Sequence, residues 1–151
     1  EEAINLSNWI VSWFNKKFSP HAEYFESNDK IFLDRSESPN NHCQIENNNE
    51  VIDFLNKKGF TSYKVGQLSF EQQIHLFKNA KIIVGAHGAA FANLAFCSPE
   101  TQVIEIKPIH HPNYASKTIG KINDLKVKII ETPKFKNYNI NLDINELNKN
   151  L

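Results

Sequence analysis

The sequence predicts an α/β fold: a mainly parallel five-stranded sheet covered by helices on both faces. Three observations carry that expectation. Short apolar runs, of which Ile82-Ile83-Val84 is the clearest, recur along the chain and read as strands buried on both sides. Segments with apolar residues at helical spacing alternate with them. The run at Ile82 passes into such a segment through Gly85-Ala86-His87-Gly88, a short glycine-rich turn of the kind that joins a buried strand to a helix.

The elements follow in order. Ile4, Trp9, Trp13 and Phe14 predict an opening helix from Ile4 to Phe18, stopped by Ser19-Pro20, so that residues 1–20 form a leading helix and linker. Strands are expected at Lys30–Leu33, Ser62–Val65, Lys81–Val84, Gln102–Ile106 and Lys126–Ile130. Helices are expected at Asn48–Lys58, Phe70–Asn79, Ala89–Phe96 and Asn113–Asn123. Gly59, after Lys57-Lys58, is a stop for the first of these. Ser69 with Gln72 is a capping-box pair for the second. Asp143, three residues before Glu146, predicts a tail helix within residues 140–151.

With 151 residues, the chain is the length of one ordinary domain, residues 1–151. Acidic and basic residues balance at 17 each, so no net field draws it to nucleic acid or to an anionic membrane. No apolar run approaches the roughly 20 residues of a membrane span. The chain opens at Glu1-Glu2-Ala3 with no signal-peptide pattern and reads as a piece of a longer protein. Cys43 lies in a polar loop and Cys97 in an apolar helix; reduced thiols are expected.

Ligands of parallel sheets gather at the carboxyl ends of the strands. The loop after Leu33, the Gly85–Gly88 turn and the loop after Ile106 all fall there. Arg35 is the only arginine among 17 basic residues, at the mouth of a polar loop running to about Asn47. A guanidinium grips phosphate through two parallel hydrogen bonds, which a lysine cannot copy. The alternative is a surface ion pair with Asp34 or Glu37. His87, in the turn between Gly85 and Gly88, can donate to a phosphate or move a proton, or it can cap the helix that follows. Asn93 faces either a ligand or a neighbouring loop. Glu105, near the end of Val103-Ile104-Glu105-Ile106, suits a ribose diol; otherwise it is an edge-strand glutamate in water. His110-His111 read as loop or rim residues.

Several classes lose their support. D-x-D is absent and no His/Cys/Asp cluster has ligand spacing in the sequence, so no metal site is expected. G-x-S-x-G and the G-x-x-x-x-G-K-[ST] loop are absent as well, and the turn fails the G-x-G-x-x-G pattern of dinucleotide sites.

IVGAHGAAFANLAFCSPETQVIEIKP, preceded by LSFEQQIHLFKNAK, resembles the carboxyl-terminal half of glycosyltransferase family 61, the likeness spanning roughly Ile31 to Leu125. The resemblance implies a Rossmann-like, three-layer domain of a GT-B enzyme that transfers a sugar from a nucleotide donor without a D-x-D metal. By position it implies diphosphate contacts from Arg35, His87, Gly88, Ala89 and Asn93, and a ribose contact from Glu105. His87 is the only catalytic candidate; no general base is identified. Where family members often carry a second arginine, this chain has Cys43-Gln44. The resemblance further implies a UDP-sugar as donor substrate with no other cofactor, a glycan or protein acceptor, and a second, acceptor-binding domain in the parent chain. A cytoplasmic bacterial setting is expected, with any membrane association left to the parent protein. The alternative is a non-catalytic Rossmann-like module that docks another protein.

Overall fold

A computed structural model describes residues 7–38, 42–133 and 135–151, apart from the side chain of residue 136. The chain runs α1 (Asn8–Phe18), β1 (Lys30–Leu33), α2 (Asn48–Lys57), β2 (Thr61–Tyr63), α3 (Phe70–Asn79), β3 (Ile82–Ala86), a 3₁₀ helix (Ala89–Phe96), β4 (Gln102–Pro108), α4 (Ala115–Ile122), β5 (Lys126–Thr132) and α5 (Ile144–Asn150). The five strands are all parallel and lie in the order β2-β1-β3-β4-β5.

Alternation along the strands sorts the core into two layers, because successive side chains point to opposite faces. Ile31, Leu33, Ile83 and Val103 pack with Val11, Ile74, Phe77, Leu94 and Ile119, which α1, α3, the 3₁₀ helix and α4 supply. Phe32, Val84, Ile104, Ile106 and Ile130 pack on the other face with Val51, Leu55, Ile140 and Leu147, from α2, α5 and the segment between β5 and α5. The result is a three-layer, Rossmann-like sandwich. Ile83 and Val84, neighbours in sequence with no solvent exposure, belong to opposite layers. This is why the Ile82 run carries no polar residue.

The strand order sets the position of the site. From β1 the chain crosses by α2 to β2 on one side, then returns by α3 to β3 on the other side of β1. Consecutive crossovers therefore diverge at β1 and β3, and a crevice opens above their carboxyl ends. The loop after β1 and the turn after β3 line it.

Local signals hold where they rest on capping. Ser69 and Gln72 form the reciprocal capping box at the start of α3. Gly59 has φ +84, a conformation that costs other residues strain, and follows the last turn of α2. Four expectations shift. The segment Ala89–Phe96 is a 3₁₀ helix, not an α-helix. The second strand ends at Tyr63, and Val65 begins a 3₁₀ turn, Val65–Gln67. The helix expected at Asn113 starts at Ala115, since Asn113 instead turns its side chain back to accept from Ala115 N–H at 2.8 Å. The opening helix is described from Asn8; Ile4 lies outside the described residues. Its aromatic residues also do not all go inward. Val11 is the buried position of α1, whereas Trp9 is 67 % exposed.

Candidate functional site

The turn after β3 is built from backbone. His87 N–H extends the ladder to Ile106 C=O at 2.8 Å, and Gly88 follows in extended conformation before the 3₁₀ helix begins at Ala89. Amides at the start of a helix have no acceptor within it and point outward with the positive end of its dipole. Glycine at position 88 answers a close approach rather than a dihedral demand. A Cβ there would lie 1.4 Å from Arg35 Nη1.

Arg35 comes from the loop after β1, one residue beyond the buried Asp34. Asp34 is not its partner. That carboxylate accepts from Ser36 N–H at 2.9 Å, from the Ser36 hydroxyl at 3.0 Å and from the Asn48 amide at 3.0 Å. Glu37 is not its partner either, and takes Gly66 N–H at 3.0 Å. Among the described residues no carboxylate forms an ion pair with Arg35. Its Nη2 donates to His42 C=O at 3.0 Å, and its Nε is buried without a partner. Burial pulls the guanidinium pKa down, with the Cys43 thiol beside it acting in the opposite sense. Arginine stays charged at any physiological pH even so. A half-buried cation without a counter-charge is the least satisfied group in the crevice.

His87 points Nδ1 at Glu105 Oε1, 2.5 Å away, and the Ser116 hydroxyl donates to the other carboxylate oxygen. Glu105 has no solvent exposure. With Nδ1 taken up by Glu105, Nε2 is the ring nitrogen left for whatever enters the crevice. Glu105, expected at a ribose, has both oxygens engaged inside the protein, by His87 and Ser116. The His111 ring packs on His87 with centroids 4.2 Å apart. Burial, with His87, Lys107 and His42 acting in the same sense and Glu105 against it, pushes the His111 pKa down to about 4. It is therefore a neutral imidazole at physiological pH.

Arg35 divides two concavities. One, about 600 Å³, is lined by Arg35, Ser38, His42, His87, Gly88, Ala89 and His111. The other, about 720 Å³, holds Arg35, Ala89, Asn93, Gln73, Phe70 and Val65 among its walls. Arg35, His87, Gly88 and Ala89 thus meet at one place. Asn93 stands apart in the second concavity, its amide donating to Gln73 Oε1 at 2.9 Å.

The family model described as Glycosyltransferase 61 matches residues 3–104, more than half of the chain. The chain belongs to glycosyltransferase family 61. No curated protein matches it. The match runs through β1, the crevice loop, β3 and the turn, and stops inside β4 just before Glu105. Membership in a family 61 lineage implies a sugar donor and an acceptor. No helix among the described residues is long and apolar enough to cross a membrane.

Residues that sequence reasoning passed over complete this family 61 crevice. Ser116 secures Glu105 from α4. Lys107, with no exposure, donates to Asn113 C=O at 2.8 Å and lies 3.3 Å from the Tyr114 ring centroid, tying down the loop that carries His111. Gln44, marked in the sequence together with Cys43, donates to Arg35 C=O at 3.3 Å and to Ser38 C=O at 3.2 Å. It shapes the loop rather than facing the crevice. His42 could have been noticed in the sequence only through its adjacency to Cys43. Although no metal ligands are spaced along the sequence, the fold brings ligand atoms of His42, Cys43 and His111 within 4.8 Å of one another.

Proposed function

We propose that the chain is the donor-binding domain of a family 61 glycosyltransferase and that it holds the diphosphate of a nucleotide sugar, a UDP-sugar by expectation, above the β1/β3 crevice. The observation that carries this reading is Arg35: half-buried, without a carboxylate partner among the described residues, and laid against the Gly88 backbone. A buried charge is costly unless compensated, and a phosphate oxygen compensates it while accepting the free Nε–H. The amides at Ala89 and Ala90 add donors beside it. Such groups matter most as negative charge builds on the departing nucleoside diphosphate, because they need no reorganisation at that moment.

In this reading the nucleoside lies in the larger concavity against Phe70 and Val65, where Gln73 and Asn93 offer amides to a base. His87, held by Glu105 at Nδ1, donates to a phosphate oxygen when Nε2 carries a proton. Glu105 serves as a positioning residue and the ribose is met elsewhere. The acceptor and a general base belong to a second domain of the parent chain, within a GT-B architecture. The rival reading, a module that docks another protein, draws on the exposed aromatic face of α1.

Titration calorimetry with UDP, GDP, CMP and NAD separates the readings. One nucleoside diphosphate is expected to bind in the micromolar-to-millimolar range, about −8 to −4 kcal/mol. Arg35→Lys is expected to weaken that binding by about 1–2 kcal/mol, because a two-pronged contact becomes a single one. Equal affinity in the variant removes Arg35 from the role. Absence of binding at millimolar nucleotide favours the docking module.

A further inference from the structure

The loop after β1 and the loop after β4 meet at one edge of the smaller concavity, where three side chains of metal-ligating type converge. Cys43 Sγ lies 3.9 Å from His42 Nε2, and a ring nitrogen of His111 completes a set whose members are all within 4.8 Å of one another. Ligands around a tetrahedral zinc ion stand about 3.5 Å apart, given Zn–S near 2.3 Å and Zn–N near 2.0–2.1 Å. Contraction by about an ångström therefore closes the set. We propose that His42, Cys43 and His111 form a binding site for a zinc-class divalent ion, with the fourth position open to the concavity that Arg35 and His87 also line.

The backbone around Cys43 supports this assignment. Cys43 has no solvent exposure although its loop is polar in sequence, and its φ is +54, a conformation uncommon for a residue with a side chain. The strained turn is held in place from outside the loop. Cys43 N–H donates to Asn137 C=O at 3.3 Å, Gln44 N–H donates to Asn139 Oδ1 at 3.0 Å, and Ile45 bridges to Ile140. These contacts aim a thiol inward at two imidazoles instead of letting it turn out to water. The histidines are adaptable partners. The hydrogen bond His111 accepts from Asn113 N–H is long, 3.4 Å, and easily exchanged. His42 and His111 rings stand 5.9 Å apart with Tyr138 closing the side, so the ligands sit in an aromatic wall that keeps bulk water from one flank.

The ligand chemistry selects the ion. A thiolate with two imidazoles suits zinc and excludes magnesium or calcium, which take oxygen. Cys43 binds as the thiolate, its proton passing to solvent as the metal takes its place. Three protein ligands and an open position are the pattern of zinc sites that hold a water or a substrate oxygen, whereas closed structural sites use four. The site stands on its own geometry and does not depend on the donor reading.

The test uses the metal alone, with no nucleotide present. The metal-stripped chain is titrated with Zn²⁺ against a chromophoric chelator, and with Co²⁺ as a spectroscopic substitute. One ion per chain is expected. The Co²⁺ form should show a thiolate-to-cobalt charge-transfer band in the near ultraviolet and intense tetrahedral visible bands. Cys43→Ser should abolish the charge-transfer band, while Cys97→Ser should keep it. His42→Gln and His111→Ala should each weaken Zn²⁺ binding by more than the roughly 10–100-fold that outer partners of a metal site carry. Because His111 lies in a surface loop, its substitution tests the site even where Cys43→Ser unfolds the chain. Zn²⁺ binding that survives His111→Ala unchanged, or a Co²⁺ spectrum without thiolate charge transfer, overturns the proposal.

Discussion

The crevice has two walls built on opposite principles. The turn after β3 has almost no side chain: its contribution is backbone, anchored by the β3/β4 ladder and by His87 on Glu105. The loop after β1 is the reverse. Among the described residues it has no helix or strand between β1 and α2, yet it supplies Arg35, His42 and Cys43, and contacts with distant chain, at Asn137 to Leu142, hold it. The difference teaches how such a site divides its work. A sheet fixes positions to the accuracy of its register, so what it holds directly can be minimal. Chemistry that needs long side chains comes from a loop, and the loop must then be secured by many separate hydrogen bonds.

The largest expected effect tests where the walls touch. Gly88→Ala places a methyl where Arg35 Nη1 lies, so the guanidinium must leave. Nucleoside diphosphate affinity is expected to fall by about 100-fold, or about 2.7 kcal/mol, with little change in melting temperature. Calorimetry beside a thermal melt checks both. Unchanged affinity would mean that the two walls act separately.

Glu105→Ala attacks the rigid wall from inside. It removes a buried carboxylate with two engaged oxygens and strands His87 and Ser116. A loss of about 2–3 kcal/mol in unfolding free energy is expected by denaturant melts. If the change instead altered nucleotide affinity at constant stability, Glu105 would have to be reached by the ligand after all.

Gln44→Ala is the mildest. Two carbonyls of the loop wall, those of Arg35 and Ser38, lose their donor. About 1 kcal/mol of stability should go, since both carbonyls are near water. Nucleotide binding should weaken several-fold through a loosened Arg35. A variant with wild-type affinity would show that Gly88 and His42, rather than Gln44, hold the guanidinium in place.

The same division explains what the sequence revealed. Ile82-Ile83-Val84 and Val103-Ile104 could be read as strands because burial on both faces leaves an unbroken apolar run. Ser69-Gln72 and Gly59 were legible because caps are local. Arg35 stood out by being a lone arginine, and His87 by its place beside Gly88. Ala89–Phe96 was misread because its apolar residues satisfy either helical period, and only the hydrogen-bond pattern tells 3₁₀ from α. The convergence of His42, Cys43 and His111 was invisible for a different reason. Ligand spacing along a sequence detects sites made by one segment, whereas these residues come from loops that follow different strands and meet because β1, β3 and β4 are neighbours. Glu105 was placed correctly on its strand, but its partner Ser116 lies one crossover later and decides which way the carboxylate is used.

The 3₁₀ helix after the turn has a consequence for how the chain can vary in length. Eight residues at about 2.0 Å each reach about 16 Å, the same distance as the five residues of β3 at about 3.3 Å, where an α-helix of eight residues would reach only about 12 Å. The 3₁₀ segment alone therefore spans the full length of the strand it covers. Phe91, Leu94 and Cys97 lie three apart, one per turn, and all three are buried against the sheet. A single inserted or deleted residue rotates the rest of that stripe by about 120° and turns it away from its neighbours. Length differences among relatives should accordingly fall in the loop after β1, where the chain already wanders, and be absent between Ala89 and Cys97.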